Sequence, residues 1–153
     1  MQHLETKIPA PLVALLAGAV MKLYAGMAQV QIDPTPVLAG LGLGLAQLSA
    51  LIALLAFTSF AVARTTINPL DPSRASCLVT GGVFRLSRNP MYLSLLMLLL
   101  AYAVRLGCWL EGLGPALFVV YVTRFQIIPE ERILALRFGA AFAAYRQRTR
   151  RWI

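Results

Sequence analysis

Long apolar runs dominate this sequence and restrict it to a small set of folds. Hydrophobic residues make up 59% of the 153 residues and charged residues only 13%, about half the charged share of a typical soluble domain. A helix needs about 20 apolar residues to cross the hydrocarbon core of a bilayer. We therefore predict an all-α integral membrane protein with about four transmembrane helices. The four runs are roughly Pro9–Met27, Val37–Ala63, Met91–Gly107 and Gly112–Ile128.

A single membrane domain, 1–153, accounts for the whole length. Residues 1–63 carry the first two predicted transmembrane helices, and residues 64–153 carry a polar loop, a tight helical hairpin and a C-terminal helix. That last helix, which begins at Pro129, is predicted to be amphipathic and cytoplasmic, because apolar residues recur on one face while arginines occupy the other. Its apolar stripe consists of Leu134, Phe138, Phe142 and Tyr145.

The basic residues flank the apolar runs and predict an orientation. Lys and Arg number 14 against 6 Asp and Glu, a net charge of +8. Basic residues beside apolar runs mark the cytoplasmic side of a membrane protein, and this distribution differs from the basic patch of a nucleic-acid-binding domain. We expect a membrane protein whose 64–90 loop and C-terminus face the cytoplasm. Its last six residues are expected to anchor to anionic lipid head groups, and neither nucleic acid nor a protein partner is predicted.

The cysteines and the single histidine predict no metal or disulfide chemistry. Cys77 and Cys108 fall on opposite sides of the membrane in the four-helix topology, so a disulfide between them is not expected. His3 stands alone near the N-terminus, and no Cys/His group has the spacing of zinc ligands. No metal site is predicted.

Two polar motifs border apolar helices on the predicted cytoplasmic side. The first combines Arg88, Asn89 and Tyr92 at the start of the third run, where Pro90 suits the first helical position. The free backbone N–H groups at the N-terminus of the helix that starts here can bind a carboxylate or another anion. The second, Glu130–Glu131, follows the fourth run and is equally suited to the first turn of a new helix. Together the motifs predict a site for a charged cofactor at the bilayer surface.

These motifs, in this order and spacing, resemble the superfamily of isoprenylcysteine carboxyl methyltransferases and phospholipid methyltransferases. The resemblance covers roughly Asn68–Trp152 and implies an integral membrane enzyme that uses S-adenosylmethionine. It also implies that the cofactor-binding residues are Gly81, Gly82, Arg88, Asn89, Pro90, Tyr92, Glu130, Glu131 and Tyr145.

Asn89 departs from the family pattern, because the eukaryotic enzymes have histidine at this position. An asparagine donates and accepts hydrogen bonds but does not titrate near neutral pH. Asn89 is therefore expected to position the cofactor and not to act as a general base. Set against the resemblance, the short chain and this asparagine also indicate a protein of the bacterial inner membrane.

The leading hypothesis is an S-adenosylmethionine-dependent methyltransferase that acts on a small lipophilic acceptor with a carboxylate, thiol or amine. If the acceptor is a carboxylate, Arg124 or Arg85 is expected to orient it, as the catalytic contribution of the protein. Two alternatives stay open: an NADPH-dependent membrane reductase of related architecture, and a non-enzymatic membrane protein whose basic tail binds lipid or a partner.

Overall fold

The computed structural model describes residues 7–28, 35–63, 77–107 and 112–153, and within these ranges every regular element is a helix, as predicted. The predicted limits of the first three helices agree with the structure to within one residue. In chain order the elements are α1 (Ala10–Met27), α2 (Pro36–Ala63), a 3-10 turn (Gly82–Arg85), α3 (Pro90–Leu106), α4 (Leu113–Val122), a π-helical turn (Thr123–Ile127) and α5 (Ile128–Arg148).

Two of these helices, α1 and α2, are long and apolar enough to cross a membrane. Their leucines and valines point outward: Leu15 is 71% exposed, Leu23 67% and Val37 71%. Apolar surface of this extent is unusual for a water-soluble monomer and fits contact with lipid. The apolar helix α3 is shorter, at 17 residues.

The helix α3 is the centre of the bundle, because α1, α2 and α4 all pack against it. A buried hydrogen bond joins α2 to α3, in which the Ser49 hydroxyl donates to the Ser94 carbonyl over 2.7 Å. Gly42 lies beside Arg105 at one end of α3, and Ser59 lies beside Gly82 near the other. The helices α2 and α3 therefore run antiparallel, and the C-terminal end of α2 lies next to the turn that precedes α3.

Gly42 marks the closest approach between α2 and α3. A Cβ atom at this position would lie 3.2 Å from the Ala101 carbonyl oxygen and 3.0 Å from Cγ of Arg105. From sequence alone, Gly40 and Gly44 have the four-residue spacing typical of close helix contacts. Nothing lies within 4 Å of a Cβ at either of them, so the close contact is at the glycine between them.

Replacing Gly42 with leucine is expected to lower the unfolding temperature in detergent, because the added side chain must push α2 away from the α3 backbone. Overpacking of this kind costs about 1–3 kcal/mol. The matched control is Gly40→Leu, in which the same side chain enters open space. Equal melting temperatures for the two variants would show that the helix contact does not depend on Gly42.

The predicted break between the fourth helix and the C-terminal helix is absent. The chain passes from α4 through the π turn into α5 without leaving helical geometry, and Pro129 lies in the first turn of α5. The interruption comes later, at Gly139, where φ is +48°, a conformation that side chains with a Cβ rarely adopt. The apolar stripe predicted for this helix is confirmed, because its four residues all pack into one hydrophobic cluster.

The predicted orientation rests in part on charged residues beside the apolar runs that lie outside the described ranges, namely Asp33, Arg64, Arg74 and Glu111. Cys108 also lies outside these ranges.

Candidate functional site

The N-terminus of α3 carries the first polar motif. Pro90 occupies the first turn and is buried, and the backbone N–H of Asn89 donates to Oγ of Ser87 over 3.1 Å. The Asn89 side chain makes no capping bond. Its Nδ2 instead donates to the Arg151 carbonyl over 2.9 Å. Asn89 thus joins the start of α3 to the end of the chain.

Arg88 makes the most contacts in this region. Its Nη2 lies 2.6 Å from Oε1 of Glu131, and its Nη1 donates to the Thr149 carbonyl over 2.8 Å. Its backbone N–H donates to the Arg150 carbonyl over 3.0 Å. The side chains of Arg88 and Glu131 are only 10% and 11% exposed. The remaining guanidinium nitrogen, Nε, is buried and has no hydrogen-bond partner among the described residues.

Glu131 is held by a second arginine. Nε and Nη2 of Arg151 donate to its two carboxylate oxygens over 3.1 and 2.7 Å, the bidentate geometry of a strong ion pair. Burial opposes ionisation of Glu131, but hydrogen bonds from Arg151 and Arg88 and their positive charges outweigh it and hold its pKa below the usual range. Glu131 is therefore a carboxylate clamped between two cations.

Glu130 has a different environment, although it is the neighbouring residue. The Tyr92 hydroxyl donates to its carboxylate and lies 3.4 Å from Oε1 of Gln126. Gln126 is fully buried, and its amide donates to the Ile8 carbonyl at the start of the chain. Burial raises the pKa of Glu130 to about 8, the charge of Glu131 adds to this effect, and the Tyr92 hydrogen bond opposes it. At neutral pH Glu130 thus carries a proton while Glu131 does not.

The raised pKa of Glu130 predicts a stability that falls as pH rises. A carboxyl group whose pKa is higher in the folded than in the unfolded protein makes its full contribution to the free energy of unfolding when the pH is below its unfolded-state pKa, about 4.3. This contribution is lost as pH approaches the folded value of about 8. Between about pH 5 and about pH 8, the unfolding temperature of the unmodified protein should fall as pH rises, and that of Glu130→Gln should change less. If the unfolding temperatures of the two proteins fell equally with pH, Glu130 would not be the group with the raised pKa.

We call residues 149–152 the C-terminal strap. Beyond the contacts with Arg88, Asn89 and Glu131, Nε1 of Trp152 donates to Oγ1 of Thr123 in the π turn over 3.2 Å. The last six residues were predicted to anchor to lipid head groups; the contacts of the strap with the rest of the protein show that anchoring is not its whole role. The side chain of Arg150, in contrast, is exposed.

The structure brings five of the predicted cofactor-binding residues into one connected group, which we call the α3–α5 cluster. Sequence reasoning missed two of its partners, Arg151 and Gln126. Gln126 could have been found, because a neutral amide inside an apolar run usually needs a partner. The α3–α5 cluster consists of Arg88, Asn89, Tyr92, Glu130 and Glu131.

Other predicted residues support the loop before α3 or lie at its surface. The Tyr145 hydroxyl donates to the Phe84 carbonyl over 2.7 Å, and burial raises its pKa to about 12, so it remains a neutral donor. Gly82 has φ of +58°, and a Cβ there would lie 3.1 Å from Oγ of Ser59. Arg85 is exposed on the 3-10 turn, which begins directly after Gly81.

Arg124, the other predicted catalytic arginine, lies in the π turn. Its guanidinium carbon is 5.5 Å from the centre of the Phe125 ring, within the range of a cation–π contact. Arg124 thus lies where α4 leads into α5, six residues and between one and two helical turns before Glu130.

A family model described as phospholipid methyltransferase matches residues 37–141. This chain belongs to the phospholipid methyltransferase family. The family is part of the group of integral membrane methyltransferases that includes the isoprenylcysteine enzymes, so the resemblance drawn from the motifs is confirmed. The match includes the whole α3–α5 cluster, whereas Tyr145 and the C-terminal strap lie beyond it.

The chain is also similar to a protein from Haemophilus influenzae described as uncharacterized. The two are 44% identical over 63 residues, which are 41% of this chain and 100% of that protein. No solved structure matches the chain. As a phospholipid methyltransferase family member with two apolar helices of spanning length, the protein is a membrane-associated protein of a methyltransferase family.

Proposed function

We propose that this family member is an S-adenosylmethionine-dependent methyltransferase that acts on a small lipophilic acceptor. The observation that carries the proposal is the α3–α5 cluster: a clamped carboxylate, a protonated carboxyl and a buried arginine meet beside apolar helices. Such a mixture of charges suits a cofactor that bears a carboxylate, an amino group and ribose hydroxyls.

The residues of the cluster fit this cofactor. The Nε of Arg88 is a buried donor without an acceptor among the described residues. A carboxylate of the cofactor can supply that acceptor, and leaving the donor unpaired is costly. Asn89 and Glu130 can hold an amino group or hydroxyls by hydrogen bonds. Glu131 is already bound through both oxygens, and its role is to fix the guanidinium of Arg88 in place.

S-adenosylmethionine supplies a methyl group on a sulfonium, which is already a good leaving group. The protein then has to align the acceptor with that methyl group and exclude water. Arg85 and Arg124 are proposed to orient an acceptor carboxylate.

A four-span topology fits the packing. The helices alternate in direction. The helix α2 runs antiparallel to α3, and Gln126, which follows α4, donates a hydrogen bond to Ile8, which precedes α1. In this topology the α3–α5 cluster lies at one membrane face. The arginines of α5 and the strap support a cytoplasmic location for that face, in a bacterial inner membrane, where the cofactor would be available and a lipid acceptor could enter between helices.

Calorimetric titration of the purified protein with S-adenosylhomocysteine tests the proposal. We expect binding that is weakened in Asn89→Ala and Glu131→Gln and unchanged in Arg150→Gln, which removes an exposed charge next to Arg151. Methyl transfer from labelled cofactor to a lipid extract then identifies the acceptor. A folded sample that binds NADPH in place of S-adenosylhomocysteine, or neither, would overturn the proposal.

A further inference from the structure

An apolar cleft lies between α1 and α2, away from the α3–α5 cluster. Its volume is about 720 Å³, within the range of small-molecule sites. The floor is the outward surface of α3 between Leu95 and Arg105, and small residues on the two neighbouring helices form the walls. Among those wall residues are Ala14, Gly18, Ala39, Gly42 and Ala46.

One end of this cleft is cationic. Lys22 and Arg105 both line it and are exposed, and no acidic residue is among the described residues that line it. Gln126 binds both Ile8, just before α1, and Tyr92, near the start of α3, whereas Gly18 lies beside Leu99 and Tyr102. The helix α1 therefore runs parallel to α3, and four residues after Gly18, Lys22 comes level with the end of α3 that carries Arg105. The two positive charges therefore mark the same end.

The length of the cleft matches one acyl chain. From Leu95 to Arg105 the floor rises by about 15 Å, at 1.5 Å per residue. This is about half the hydrocarbon thickness of a bilayer, the depth reached by the chains of one leaflet. A cleft that faces lipid has to be filled, because its walls would otherwise lose their packing contacts.

We propose that this cleft is a binding site for an anionic phospholipid, with one acyl chain along α3 and the phosphate between Lys22 and Arg105. The charged end lies at the C-terminus of α3, whereas Arg88 and Asn89 lie at its N-terminus, about 25 Å away along a 17-residue helix. The bound lipid therefore belongs to the leaflet opposite the α3–α5 cluster. It is a structural component and not the methyl acceptor, so the site does not depend on the proposed reaction.

Native mass spectrometry of the full chain in detergent tests this site, with dioleoyl phosphatidylglycerol and dioleoyl phosphatidylcholine as probes. We expect the anionic lipid to bind more tightly. The double variant Lys22→Gln/Arg105→Gln should bind it roughly 30-fold more weakly and should no longer prefer it to phosphatidylcholine. The matched control, Lys7→Gln/Arg148→Gln, removes two exposed charges elsewhere and should retain the preference.

A second variant tests the apolar part of the cleft. A Cβ at Gly18 would meet Leu99 and Tyr102 at ordinary contact distances of 3.9 and 4.0 Å, so Gly18→Leu should fold, fill the cleft and lose both lipids. Equal binding of the two lipids by the unmodified protein would overturn the assignment of the phosphate. A change from dimer to monomer in Gly18→Leu would show that a second copy of the chain, and not lipid, occupies the cleft.

Discussion

Replacing Glu131 with alanine should both destabilise the protein and abolish high-affinity binding of S-adenosylhomocysteine. The substitution leaves the guanidinium of Arg88 buried, with its Nη2 unpaired, and releases Arg151 from the strap contact. Breaking one side of a buried ion pair costs about 3 kcal/mol or more. Thermal unfolding in detergent and calorimetric titration with S-adenosylhomocysteine measure the two effects.

A double-mutant cycle separates the ion pair from other effects of the substitution. Arg88→Ala and Glu131→Ala should each destabilise strongly, and the double variant should be much less destabilised than the sum of the two. The coupling should be smaller for Arg151, whose side chain is 33% exposed. Additive losses for Arg88 and Glu131 would mean that their 2.6 Å contact contributes no net stability.

Tyr92→Phe should weaken the binding of S-adenosylhomocysteine about 10- to 100-fold. The substitution removes the hydroxyl that donates to Glu130 and lies beside Gln126. A buried acceptor without its donor costs about 1–3 kcal/mol, and Glu130 is free to leave the position in which Tyr92 holds it. Calorimetric titration gives the affinity, and thermal unfolding gives the accompanying loss of stability.

Tyr121 offers a matched control for that experiment. Its hydroxyl is also buried, but it has no hydrogen-bond partner among the described residues. Tyr121→Phe removes an unsatisfied polar group and should leave stability unchanged or slightly raised. If Tyr92→Phe behaves in the same way, the link between Tyr92 and Glu130 has no role in the site.

The helices could be predicted from the sequence because their signals are local. Apolar runs define α1, α2 and α3. Pro36 is the first residue of α2, and Pro90 is the first residue of α3. The motif residues Arg88 and Glu131 were also found from local signals, as charged residues at the ends of apolar helices. Both motifs were assigned to one cofactor site, but neither the motifs nor the family resemblance predicted the direct 2.6 Å contact between Arg88 and Glu131.

The features that the sequence did not reveal depend on distant contacts. Arg151 is one of several arginines near the C-terminus, and only the position of Glu131 distinguishes it from them. The contact at Gly42 depends on the register between α2 and α3, which a spacing rule does not determine. The π turn has no simple sequence signal, because Thr123–Ile127 contains neither proline nor glycine.

The π turn also has a consequence for how this family member can tolerate insertions and deletions. A π turn holds one more residue than the α-helical turn it replaces, and each residue of an α-helix turns the chain by about 100°. Glu130 and Glu131 face Tyr92 and Arg88 only with that extra residue in place. The segment Thr123–Ile127 therefore sets the rotation of α5 about its own axis. Loss of a single residue there would turn every later side chain of α5 away from its partner, even though each helix would still form.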